Sequence, residues 1–255
     1  MSRMYKESSK TYGIPGLSLF TFGKRHELAL DLGMNVGTFS LLYSKKFTKI
    51  IAVEASSICI SDAKENVKKE EVTNIQIIHA ALASKSGELV ELRRVYVGEI
   101  FESKDFTTAT WDLEELSNST YPGRIAEAEE VVTSISWADL LDRNNIQKID
   151  FVKCDIEGAE FDLFMHQDVS TIGCLVMELH YTALGPERTR MLVKHLNKQL
   201  DFYFPQQSNS FLNEWPPPGI LRMINPSSKK NWTWVARRAY PAMNMGRRIK
   251  RALPF

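Results

Sequence analysis

The sequence predicts an α/β fold with a mainly parallel sheet and helices on both faces. Apolar runs of strand length alternate with helix-length segments along most of the chain. The first strand-like run passes directly into DLGMNVGTFS, residues 31–40, a glycine turn that opens a helix. Polar residues close four of the runs: Asp31, Glu54, Asp155 and His180. In a parallel sheet such ends gather on one edge, where α/β proteins bind their ligands.

Residues 1–24 are polar and carry Gly13, Pro15 and Gly16, so they read as an N-terminal arm or short lid ahead of a domain spanning 25–236. A strand is expected over 28–32, and the glycine turn leads into a helix over 38–46. KIIAVE gives a strand over 49–54, followed by a helix over 57–70 and a strand over 75–79. Between Glu99 and Glu130 the alternation breaks into acids, turn residues and the isolated aromatics Trp111 and Tyr121. Insertions of that length are more often functional than idle, so residues 99–130 read as a partly ordered substrate lid. Regular pattern returns with a helix over 137–143, a strand over 149–155 and a helix over 159–166. A strand over 173–179 and a helix over 187–199 complete it. Pro216, Pro217 and Pro218 mark a loop before the closing strands.

The turn carries the first chemistry. In a dinucleotide fingerprint a second glycine lets the backbone approach a pyrophosphate, yet here Asn35 stands between Gly33 and Gly37, and Asp31 would repel the phosphates. Both features suit S-adenosylmethionine (SAM), which has no phosphate, offers an ammonium to a carboxylate, and has ribose hydroxyls for Glu54. The expected cofactor contacts are Asp31, Gly33, Asn35, Gly37, Glu54 and its neighbour Ala55, with Asp155 on the next strand end. Ala80 and Ala81 follow the third strand and present small side chains for a flat adenine; His79 reads as structural, and Asn66 lies where the second helix meets the cofactor. The competing reading is a tight turn in an unrelated α/β protein.

The stretch DFVKCDIEGAEFDLF, residues 150–164, decides between them. A strand there delivers Asp155, Glu157 and Glu160 within six positions, and Gly158 and Ala159 permit close backbone approach before the next helix. Together with DLGMNVGTFSLLYSKKF, IIAVEASS, HAALASKSGEL and SISWADLL, in this order and spacing, the sequence resembles the FkbM family of SAM-dependent methyltransferases over about residues 28–180. That family acts largely on hydroxyls of natural products and sugars. The resemblance implies a class I methyltransferase, Rossmann-like fold with a seven-stranded sheet.

Methyl transfer to a hydroxyl needs the acceptor aligned and its proton removed. The expected catalytic residues are Asp155, His180 and Glu157; His180, in MELHY, is the group nearby with a near-neutral intrinsic pKa, against the alternative of a packed or capping histidine. Asp155, Glu157 and Glu178, with Glu160 beside them, are also compatible with a hard divalent cation such as Mg2+, which the sequence does not require. Glu160 alternatively caps its helix or pairs with Lys153 or an arginine.

No run of about 18 apolar residues is present, and the N-terminal stretch lacks the apolar core of a signal peptide, so a soluble, cytoplasmic protein is expected. Cys59, Cys154 and Cys174 have no metal-type spacing and read as reduced, buried thiols. Charge is uneven: nine cations and no acid follow Glu214, so a net charge of +1 leaves −8 on residues 1–214. Six of those cations fall in the tail, residues 237–255, interleaved with apolar residues. The tail reads as folding back on the acidic domain, with a membrane surface or a nucleic acid as the other partners it suits. Three functions fit: a hydroxyl methyltransferase for small molecules or glycans, an RNA 2′-O-methyltransferase, and a non-catalytic SAM-binding module.

Overall fold

The computed structural model describes residues 25–97, 106–109, 123–203, 208–214 and 219–228. The strands are β1 (His26–Leu32), β2 (Phe47–Glu54), β3 (Ile75–His79), β4 (Ala81–Ala83), β5 (Leu89–Val97), β6 (Phe106–Ala109), β7 (Gly123–Ser136), β8 (Phe151–Cys154), β9 (Cys174–Glu178), β10 (Asp201–Phe202) and β11 (Ile220–Ile224). The α-helices are α1 (Thr38–Tyr43), α2 (Ser57–Lys69), α3 (Trp137–Arg143), α4 (Glu160–Phe164), α5 (Tyr181–Leu196) and α6 (Ser208–Asn213). Seven strands form one sheet in the order β10-β11-β9-β8-β1-β2-β3. Five of them, β3 to β9 across that order, run parallel, while β11 and β10 close the edge antiparallel. This is the class I methyltransferase arrangement that the sequence implied.

Strand alternation distributes the core to both faces of the sheet. Leu30 and Leu32 of β1, Ile51 and Val53 of β2, and Val152 and Cys154 of β8 pack on one side with Trp137 and Leu140 of α3 and Leu192, Val193 and Leu196 of α5. Ala29, Ile50 and Phe151 point the other way and meet Phe39 of α1, whose ring stacks on Phe151 at 5.7 Å. The helices begin where local chemistry allows it. Ser56 and Ser136 cap α2 and α3, their hydroxyls accepting from the N–H groups of Cys59 and Asp139. Helix α5 breaks at Gly185 (φ 72°, ψ 169°) and resumes at Pro186, a residue suited to a first helical turn.

Residues expected as an insertion are partly strand. β6 and the first half of β7 lie within 99–130 and join a second, four-stranded sheet in the order β4-β7-β5-β6. Consecutive acids Glu129 and Glu130 interrupt the two-residue hydrophobic period by which a strand is read from sequence. Helix α5 also starts six residues before the expected 187. The N-terminal arm over 1–24, the rest of the expected lid and the basic tail over 237–255 lie outside the described residues. No described helix is long and apolar enough to cross a membrane.

Candidate active site

The sheet order reverses at β1, which has β2 on one side and β8 on the other, and a cleft opens at the C-terminal ends of these three strands. One wall is the turn after β1, with Gly33 and Asn35. Gly33 has φ 74°, and a Cβ there would collide with the carbonyl oxygen of Asp155, so only glycine lets this turn pass over the end of β8. Asn35 takes the left-handed conformation at φ 52°, and its Oδ1 accepts from the N–H of Val36 at 2.7 Å. Gly37 caps α1 and Asn66 of α2 donates to the Val36 carbonyl at 3.0 Å; both shape the turn from behind the cleft.

Glu54 forms the second wall. Its Oε2 accepts from the N–H of Asn35 at 2.7 Å, and Oε1 accepts from those of Ala55 and Ser56, each at 2.9 Å. Three amides thus fix a carboxylate that still has an acceptor direction open, of its roughly four. Ala55, Ala80 and Ala81 line the cleft beside it. Leu82 of β4 and Leu92 of β5 line it too, so the second sheet supplies an apolar wall that the sequence reading missed. His79 stays structural: its Nε2 lies 2.9 Å from the Ala55 carbonyl and 3.2 Å from Glu130.

Asp31 is placed differently from expectation. Strand parity turns it away from the cleft and under α1, where it is fully buried and accepts from the Ser40 hydroxyl at 2.6 Å. In the β1–β8 register its neighbour is Lys153, whose Nζ lies 3.4 Å from Asp31 and 3.8 Å from Asp155 and donates to the Gly33 carbonyl. Burial pushes the Asp31 carboxyl up against the pull of Lys153; for Lys153 burial works downward, but Asp31 and Asp155 outweigh it and its pKa ends raised. With two carboxylates and a carbonyl around one ammonium, we read the pair as ionised.

The third wall holds Asp155, Glu157 and Ala159, from the turn after β8. His180, just past β9, faces it: Nε2 is 3.1 Å from Glu157 and 3.6 Å from Asp155, and Nδ1 is 2.6 Å from Glu160. Gly158 permits this, since a Cβ there would lie 3.0 Å from Ala183 in the first turn of α5. Burial disfavours charge on the ring, yet hydrogen bonds to Glu157 and Glu160 and their charges prevail and push His180 up to about 12. The flanking carboxylates therefore favour the protonated ring, and His180 is held between them. Glu160 pairs with His180 instead of Lys153 or an arginine, and also accepts from the Gly158 N–H at 3.2 Å. Among the described residues the group with metal-ligating geometry is Asp155, Glu157 and His180; Glu178, two residues before His180, is outside it.

The sequence profile of the methyltransferase FkbM domain matches residues 31–207, which include the turn, Glu54 and the whole carboxylate–histidine group. The chain belongs to the FkbM methyltransferase family. The matched region is a SAM-dependent methyltransferase domain, and its cleft is compatible with that cofactor: a carboxylate with an open acceptor direction suits ribose hydroxyls, and alanines and leucines suit adenine. Among solved structures, the chain is similar to a methyltransferase FkbM from Methylobacillus flagellatus KT, at 13% identity over 85% of this chain and 50% of that one, with a TM-score of 0.43. A dimethyladenosine transferase from Plasmodium falciparum is similar at 12% identity over 88% of this chain and 62% of that one, with a TM-score of 0.41. The curated protein "Probable ribosomal RNA small subunit methyltransferase A" of Methanosphaera stadtmanae is 40% identical over 53 residues, 21% of this chain and 20% of that relative's length.

Proposed function

We propose that this FkbM methyltransferase transfers the methyl group of SAM to a hydroxyl of a sugar, glycan or natural-product acceptor. The observation that carries the reading is the convergence of Glu54, the Gly33–Asn35 turn and the carboxylates Asp155 and Glu157 on one cleft. SAM, when bound, supplies a methyl already activated on a sulfonium, so that an O–CH3 bond forms as S–CH3 breaks and the hydroxyl proton must leave. Glu54 holds ribose hydroxyls, the turn holds the methionine end, and Ala80, Ala81 and Leu92 enclose adenine. Asp31 acts from behind, since its pairing with Lys153 fixes the turn. Asp155 accepts the hydroxyl proton and passes it to solvent; His180 orients Asp155 and Glu157.

An RNA 2′-hydroxyl offers the same reaction on a polyanion. Lys153, the cation next to Asp155, is buried at 3% exposure, and the carboxylates at the cleft repel phosphate. The small-molecule or glycan acceptor is therefore preferred. Incubation with SAM and a panel of sugars, polyketide-like alcohols and a short RNA, read by mass spectrometry, is expected to add one methyl mass to a sugar or alcohol. Methylation of RNA alone would reverse the choice of acceptor, and SAM binding without turnover on any acceptor would favour the non-catalytic module.

A further inference from the structure

We propose that Asp155, Glu157 and His180 form a binding site for a hard divalent cation at the acceptor side of the cleft. Three ligand atoms of mixed type, two carboxylate oxygens and one imidazole nitrogen, lie within 4.8 Å of one another. His180 Nε2 is 3.1 Å and 3.6 Å from its two neighbours, close to the edge of about 3 Å that an octahedral Mg2+ or Mn2+ shell places between adjacent ligands. Two edges of one face of such a shell are thus in place, both at Nε2, and the third separation is within 4.8 Å.

The chemistry behind the ring points the same way. Glu160, fully buried, takes the other imidazole nitrogen at 2.6 Å and so directs Nε2 toward Asp155 and Glu157. This is the carboxylate–histidine arrangement that orients metal-bound imidazoles. The second oxygen of Glu160 is buried with no hydrogen-bond partner among the described residues, so the carboxylate's charge is incompletely compensated. A divalent cation on these ligands takes the place of the proton on Nε2.

Asp155 and Glu157 line the cleft, so the open face of the shell looks into it. There the cation takes the acceptor's hydroxyl oxygen and lowers its pKa into a range where a carboxylate base can remove the proton. This role rests on the methyl-transfer reading; binding of the cation does not.

Titration of the purified full chain with Mn2+, read by electron paramagnetic resonance and calorimetry, is expected to show one bound ion per chain with nitrogen modulation from a coordinated imidazole. Glu157→Gln, at a partly exposed position, is expected to weaken binding at least tenfold. His180→Gln is expected to abolish the nitrogen modulation, and Glu160→Gln to weaken binding about 10- to 100-fold. Asp139→Asn, on the far helix α3, is expected to change nothing. Saturable SAM binding by a folded protein that takes no Mn2+, or Mn2+ binding unaltered in Glu157→Gln and His180→Gln, would overturn the site. Mn2+ binding without SAM binding would instead leave the site standing and remove the methyl-transfer reading.

Discussion

Lys153 is the residue whose surroundings the sequence disguised. Within FVKC it reads as the polar member of an alternating strand, the position usually left to solvent. Here both faces of the strand are covered, so the same alternation buries it against Asp31 under α1. Removing one member of such a pair leaves the other charge unmatched in the interior. Lys153→Met is expected to lower stability by about 3 kcal/mol or more in denaturant titrations. Adding Asp31→Asn to Lys153→Met is expected to recover part of that loss, a coupling that a merely steric role would not produce. That Gly33, Asn35, Glu54, Ala80, Ala81, Asp155 and Glu157 lie around one cleft was legible from the sequence, because each sits at or just beyond the end of a sheet strand and the position of the strand fixes its neighbourhood. The roles of Asp31, His180 and Glu160 were not, since they depend on strand parity and on where the first turn of α5 settles.

The elements around the cleft depend on a few backbone requirements. At Gly33 a positive φ coincides with a close crossing of the Asp155 carbonyl, whereas Gly87 has a similar φ of 83° and open space, with no atom within 4 Å of the place a Cβ would take. Gly33→Ala is accordingly expected to cost more than about 3 kcal/mol, and Gly87→Ala only about 1–2 kcal/mol, by thermal or chemical denaturation. Strand β1 brings a pH dependence of its own. Burial at its first residue lowers the pKa of His26, against the raising effect of Asp150. The unfolded chain then binds the proton more readily than the folded one, so stability falls as pH drops below the unfolded value of about 6.5. His26→Leu is expected to flatten that acid limb between about pH 7 and pH 5, measured as melting temperature against pH. An equally steep limb in the variant would remove His26 as its source.

At the scale of the whole molecule, the parallel sheet was legible because 28–32, 49–54 and 75–79 are short runs rich in apolar residues, separated from one another by helix-length segments. The second sheet was not, because β5 and β7 are partly exposed ladders in which charged residues mask the period; Leu89 and Val131 lie on the open face while Val90, Leu92 and Val132 pack inward. That sheet lines the cleft through Leu82 and Leu92, so the cleft belongs to both sheets together. Calorimetric titration of the protein with SAM and with NAD tests the assembled cleft most directly. SAM is expected to bind at one site per chain and more tightly than NAD, and Glu54→Ala is expected to weaken SAM by about 1–3 kcal/mol. NAD binding more tightly than SAM, or SAM affinity unchanged in Glu54→Ala, would contradict the placement of the cofactor between the Gly33 turn and Glu54.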